Sequence, residues 1–154
     1  MNHSEIAKTI HDRGFNCAQT VLGAFCEDFG LDPITAAKIA AGFGTGMGRT
    51  GGVCGALTGG SMVIGLKYCK LNADGSKYAP ATELTYALVK ELLLQFKQQN
   101  KSIICKELIG LDLGIPENLE YARKNIFSTQ CSGYIQNVIE ILGEILSQPE
   151  TIPK

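Results

Sequence analysis

Apolar positions along the chain recur at three- and four-residue spacing, and alternating runs rich in Val, Ile and Thr are absent, so the pattern predicts an all-α fold. Residues 4–13 read as a first helix closed by Gly14. Asn16 is placed to cap a second over residues 17–29, with Gly30 just beyond it. Asp32-Pro33 puts a capping side chain before a proline at the first position of a third helix, to about Ala41. A glycine-dense loop over residues 42–52 then feeds a helix over residues 53–70. Asn72-Ala73-Asp74-Gly75 reads as a turn, and residues 80–99 as a long amphipathic helix striped by Leu84, Leu88, Leu92 and Phe96 and ended by Asn100. Ser102 is read as the cap of a short helix through Cys105 that stops at Gly110. Pro116 opens another, and Ser128 caps a terminal helix over residues 129–146, with a frayed tail after Ser147. The expected architecture is a single-domain bundle of about six to eight helices over residues 1–154, with the Gly-rich loop before a buried central helix.

Composition narrows the function classes. At 154 residues one domain can bury a proper core without disulfides or metals. Fourteen Lys and Arg against fifteen Asp and Glu, with neither sign in blocks, exclude a nonspecific nucleic-acid binder and a polybasic membrane-surface protein. The first residues show no basic segment followed by an apolar run, so no leader is read there and the expected location is cytoplasmic. Between Ile39 and Leu66 the only charged residue is Arg49, but residues 50–66 number only 17 and include six Gly, too few and too broken for a membrane span. The six cysteines of a reducing compartment are then core thiols, metal or cluster ligands, or redox groups.

Helix geometry sorts those thiols. Cys17 and Cys26 on one helix would stand roughly 13 Å apart, and Cys54 and Cys69 on another roughly 22 Å, whereas a disulfide needs Cα atoms within about 7 Å. Joint chemistry must therefore use different helices, and Cys17, Cys54, Cys105 and Cys131 sit near starts or short turns of four segments. Cys26 and Cys69 read as small buried apolar residues. Cys54 is the leading candidate, because unpaired N–H groups and the helix dipole at a helix start favour a thiolate. Small residues repeat as Gly51, Gly55, Gly59 and as Gly52, Ala56, Gly60, so something approaches this helix closely: a neighbouring helix, a cofactor against Gly51, Gly52, Gly55 and Gly59, or the other cysteines.

Asn16-Cys17-Ala18-Gln19, then Gly52-Val53-Cys54-Gly55-Ala56-Leu57-Thr58-Gly59, then Cys105-Lys106-Glu107-Leu108-Ile109-Gly110, then Cys131 opening an amphipathic helix, resemble the C-GCAxxG-C-C family, which is named for its cysteine pattern and described as redox-active. The resemblance spans residues 10–146 and rests on four spaced signals together. It implies a shared site of Cys17, Cys54, Cys105 and Cys131, with Cys26 and Cys69 outside the pattern. A related domain accompanies haem and an iron-sulfur cluster in split-Soret cytochromes. This chain has no Cys-x-x-Cys-His, so covalent haem is not expected.

Two redox chemistries stay open. Four thiols meet the ligand count of an iron-sulfur cluster, although no Cys-x-x-Cys pair supports a ferredoxin loop or a zinc ribbon. Thiol-disulfide exchange needs one activated thiol, for which Cys54 is read, and a resolving one among Cys17, Cys105 and Cys131. The alternative is a helical binding or structural module with inert core cysteines. Gly46-Met47-Gly48-Arg49-Thr50-Gly51 matches G-x-G-x-x-G but follows no strand, which argues against a nucleotide site. His3 and His11 read as surface residues, with His11 close enough in sequence to stand beside Cys17. No Ser-His-Asp or dicarboxylate constellation is visible. The electron partner is open, and the low-charge segment also suits a homodimer interface.

Overall fold

A computed structural model describes residues 1–150, and among them the fold is all-α with no strand. The first helices form where the capping signals stand. Asn2 closes a capping box with Glu5 at the start of α1 (His3–Asp12), and Asn16 does the same with Gln19 at the start of α2 (Cys17–Phe25). A short 3-10 turn, Cys26–Phe29, extends α2 to Gly30. Asp32 accepts from Thr35 N–H to cap α3 (Pro33–Ala40), with Pro33 in its first turn.

The glycine-dense loop is the unusual segment. Its core, α4 (Gly44–Met47), is wound left-handed: φ is positive at five successive residues, from 51° at Thr45 through Gly46, Met47 and Gly48 to 64° at Arg49. Glycine accepts this conformation, but for Thr45, Met47 and Arg49 it costs roughly 1–2 kcal/mol each. Thr50 holds the winding closed, its hydroxyl donating to the carbonyls of Gly46 and Met47 at 2.8 Å.

The central helix α5 (Gly55–Tyr68) is apolar nearly all round, as a fully surrounded helix must be. It packs against α2, α6 (Ala79–Asn100) and α9 (Ser132–Leu146), while α1 lies over α2 and α9. Leu57, Val63, Ile64, Leu92, Phe96, Val138 and Leu142 fill the space between them. The stripe read along α6 is buried at Leu88, Leu92 and Phe96, with Leu84 packed at its edge. A second, smaller apolar cluster of Ile109, Leu113, Ala122 and Ile126 joins α7 (Cys105–Ile109) to α8 (Pro116–Asn125).

Several expectations are corrected. Ser128 caps no helix: residues Phe127–Cys131 form a π turn that runs straight into α9. The hydroxyl of Ser102 accepts from Ile104 N–H and shapes the approach to α7, whose N-cap is Ile104. Cys69 is exposed, because α5 ends at Tyr68 and the chain turns outward there. The end of the chain is tied down through residue 150 by Tyr68, which donates to the carbonyls of Ile145 and Gln148, and by a Lys70–Glu150 pair at 3.0 Å. The rest of the tail expected to fray, 151–154, lies outside the described residues.

Candidate functional site

Four elements deliver one cysteine each to the seam between the two apolar clusters. Cys17 is the first residue of α2, and its position follows from Asn16. The cap side chain accepts from Gln19 N–H and donates to Ala41 O, and Gln19 donates to Ala37 O, which pins the start of α2 to α3. Cys54 is the N-cap of α5. Its N–H donates to Ile103 O at 2.8 Å, and Cys105 N–H donates to Gly52 O at 2.7 Å. This short antiparallel bridge, centred on Val53 and Ile104, holds Cys54 beside the first residue of α7. Cys131 closes the π turn before α9, a local winding that often re-aims a side chain at a site. Cys105 and Cys131 belong to the smaller cluster, Cys54 to the larger, and Cys17 packs against both.

All four line one cavity of about 750 Å³. Its apolar wall includes Leu108, Leu113 and Phe127, and its polar wall includes His11, Asn16, Ser128 and Tyr134. Tyr134 donates to Leu108 O at 3.0 Å and accepts from Gln130, so α7 and α9 stay fixed on either side. His11 contacts Ser132 Oγ at 3.1 Å through Nδ1, and burial holds it below its ordinary value near 6.5 against the opposing charge of Asp12. It is therefore neutral near pH 7.

The four thiols are not equivalent. Cys17 and Cys131 act on each other more strongly than on the other thiols: interaction with the Cys131 side chain, together with burial, raises Cys17 well above the ordinary thiol range, and interaction with Cys17 lowers Cys131. Of the two, Cys131 is the one shifted toward the thiolate. Cys54 does not fill the activated role read for it. The N–H groups of Ala56 and Leu57 do favour its thiolate, but burial outweighs them and pushes it up to about 11. It is only 4% exposed, an N-cap sealed inside the core, so the electrostatics of the helix start act on a thiol without water. Burial likewise pushes Cys105 up to about 12. Cys17 is the most accessible of the four, Cys105 and Cys131 being 9% and 7% exposed.

The small-residue strips meet protein. A Cβ on Gly55 would lie 3.1 Å from Ala18 N and 3.2 Å from Cys17 Cβ, so α2 is the close neighbour there, while Gly52 and Gly51 lie against Gly46 and Lys106. Gly60, on the other strip, faces Leu92 and Val138. Cys26 is buried away from the cavity, donating to Gly23 O. His3 stacks on Phe25 and pairs with Asp28 at 2.6 Å, also away from the cavity, whereas His11 does stand beside Cys17 there. Sequence reading missed Arg123, Phe127 and Tyr134 as cavity residues. Their spacing on α8, the π turn and α9 carries no signal short of the tertiary fold.

Fold and site together define an all-α bundle with four cysteines gathered at one cavity. The chain belongs to the C_GCAxxG_C_C family, described as "Putative redox-active protein", whose sequence model matches residues 15–145. No curated protein and no solved structure gives a match. Among the described residues no helix is long and apolar enough to cross a membrane.

Proposed function

We propose that the cavity carries out thiol-disulfide exchange, with Cys131 as the attacking thiolate and Cys17 as its resolving partner. The observation that supports it is that Cys17 and Cys131, delivered by α2 and the π turn, line the same cavity, where their mutual interaction raises Cys17 and lowers Cys131, so that Cys131 is the better nucleophile of the two. The oxidant is an organic disulfide. The Cys131 thiolate attacks one of its sulfurs, the incoming S–S bond breaks, and a mixed disulfide forms with release of one organic thiolate. The Cys17 proton passes to that leaving thiolate, and the Cys17 sulfur attacks Cys131. A Cys17–Cys131 bond forms and the second organic thiolate leaves. Two protein sulfurs are oxidised by two electrons and one organic disulfide is reduced by two. Cys54 and Cys105, held protonated by burial, form the dry wall behind the pair.

A second reading takes the same four thiols as ligands of an iron-sulfur cluster, favoured by their number and their common cavity. Among the described residues no three Cys, His, Asp or Glu side chains converge to hold a single metal ion. A mononuclear site therefore does not fit, and a cluster would need Cys17, Cys54, Cys105 and Cys131 spaced around it as ligands, where it would supply one-electron transfer. Anaerobic purification followed by iron and acid-labile sulfide analysis separates the readings. A metal-free protein that gives a Cys17–Cys131 disulfide on peptide mapping after oxidation supports exchange. Stoichiometric iron and sulfide, or a disulfide that leaves Cys131 free, overturns it.

A further inference from the structure

The charged residues on the cavity wall have one sign to spare. They are Asp12, Arg49 and Arg123, with His11 neutral near pH 7. Asp12 is already engaged by Lys8 at 2.6 Å. Neither arginine has an ion pair among the described residues. The cavity lining therefore includes two exposed arginines without an ion pair among the described residues, Arg49 from the left-handed loop and Arg123 from α8, alongside the four thiols.

Arg49 is there at a cost. It is the only charge between Ile39 and Leu66, and it occupies a left-handed position, φ 64°, in a loop otherwise dense in glycine. A glycine at this position would relieve the backbone, so the arginine side chain is carried there at a cost in backbone strain. Arg123 joins the same lining from the last turn of α8. Guanidinium is the side chain best matched to carboxylate oxygens, which it meets with paired N–H donors.

We infer that the exchange partner of this cavity is a small disulfide bearing carboxylates, whose anionic ends are received by Arg49 and Arg123 while its sulfurs face Cys131 and Cys17. This rests on the thiol-exchange reading and adds the charge class of the substrate. A large protein surface is a poorer fit, because three of the four thiols are almost fully enclosed.

The test uses the full chain, reduced anaerobically, with three small disulfides as probes: dithiodiglycolate, which is anionic, hydroxyethyl disulfide, which is neutral, and cystamine, which is cationic. The rate constant for loss of protein thiols is measured for each. The expected ratio of anionic to cationic rate constants is about tenfold or more, within the range that electrostatic focusing in a charged cleft produces. In Arg49→Gln/Arg123→Gln it falls toward unity, and the ratio cancels any change in the reactivity of the thiols themselves. If the double variant fails to fold, salt supplies the same reading on the parent chain, where about 1 M salt, with its Debye length near 3 Å, should collapse the ratio. Equal rates for the three probes in the parent, or a ratio untouched by both salt and the double variant, overturns the inference while leaving thiol exchange standing. Failure of all three probes to oxidise the protein overturns thiol exchange itself.

Discussion

A Cβ placed on Gly59 would stand 2.7 Å from the carbonyl oxygen of Ala18, closer than real Cβ contacts allow, and 3.1 Å from Ala18 Cα. The obstacle is backbone, which cannot turn aside as a side-chain tip could. One turn earlier Gly55 meets Ala18 N and Cys17 Cβ. The approach of α5 to α2 therefore sets how near Cys17 comes to Cys54.

Gly59→Ala is expected to destabilise the chain by about 1–3 kcal/mol through overpacking and to slow disulfide formation at Cys17. Gly65→Ala, on the same helix with nothing within 4 Å of its added Cβ, should instead stabilise by about 0.5–1 kcal/mol. Urea unfolding midpoints of the two variants compare them directly. Two shifts of the same sign would show that helix propensity, and not the fit against α2, governs these positions.

Much of this was legible in the sequence, because capping is local chemistry. Asn16, Asp32 and Pro33 mark their helix starts with side chains that act within three residues, and all three do so in the structure. Periodicity gave the all-α class and the buried stripe of α6 for the same reason. Helix geometry and position at segment starts single out Cys17, Cys54, Cys105 and Cys131, the family pattern implies that they share a site, and all four line one cavity in the structure. What escaped depends on surroundings. The nucleophile at Cys54 was read from a helix start, but desolvation is a property of the packed core and reverses the sign of its shift. The pairing of Cys131 with Cys17 needed the π turn, which no residue of Phe127–Cys131 announces. Cys69 has the residue type of a core position, yet α5 stops one residue short of it and leaves it exposed.

Alkylation of the native reduced protein should sort the six thiols by these environments. Cys69, exposed, reacts early, and substituting it by Ser simplifies the counting of the others. Among the cavity thiols Cys131 should acquire its label with an inflection below the ordinary 9.0, because interaction with the Cys17 side chain favours its thiolate. In Cys17→Ser the weaker hydroxyl donor moves that inflection upward. Mass mapping of the labelled sites across pH reads both shifts, and an unchanged Cys131 profile in Cys17→Ser would remove the basis for assigning it the attack.

Alkaline stability follows from the other pair. Folding raises Cys54 from 9.0 to about 11 and Cys105 from 9.0 to about 12, so the folded chain holds these protons more tightly than the unfolded one. Their contribution is fully present below pH 9 and is lost as pH rises through 9 toward 11 and 12. For Cys54 alone the rise from 9.0 to about 11 corresponds to about 3 kcal/mol. Denaturant unfolding between pH 8 and 11 should show stability falling with pH, and Cys54→Ala should flatten that slope. An equally steep fall in the variant would locate the alkaline lability elsewhere.

The C-terminal end of α9 depends on Tyr68, whose buried hydroxyl donates to the carbonyls of Ile145 at 2.7 Å and Gln148 at 3.0 Å. Tyr68→Phe keeps the ring and removes the donor, leaving both carbonyls without this partner, and should cost about 1–2 kcal/mol. The cavity lies at the other end of the bundle, so the Cys17–Cys131 exchange rate with hydroxyethyl disulfide should change less than the unfolding midpoint does. Thermal unfolding and the exchange rate, measured on the same preparation, check this. A variant that unfolds like the parent would show that water takes over these two carbonyls.

Arg49 sets stability against function at a single residue. Its left-handed backbone costs roughly 1–2 kcal/mol for any side chain, and glycine there offsets that by about 0.5–1 kcal/mol of added freedom in the unfolded chain. Arg49→Gly should therefore leave the protein as stable or up to about 1.5 kcal/mol more stable, while the preference for the anionic over the cationic disulfide falls. Arg49→Ala removes the same charge but retains the backbone cost, so it should match the glycine variant in charge preference and fall below it in stability. Paired unfolding curves and rate ratios for the two variants separate the guanidinium from the backbone it rides on. A loss of stability in Arg49→Gly as large as in Arg49→Ala would mean that the side chain itself holds the loop, and that Arg49 is a structural strut before it is a receptor for anions.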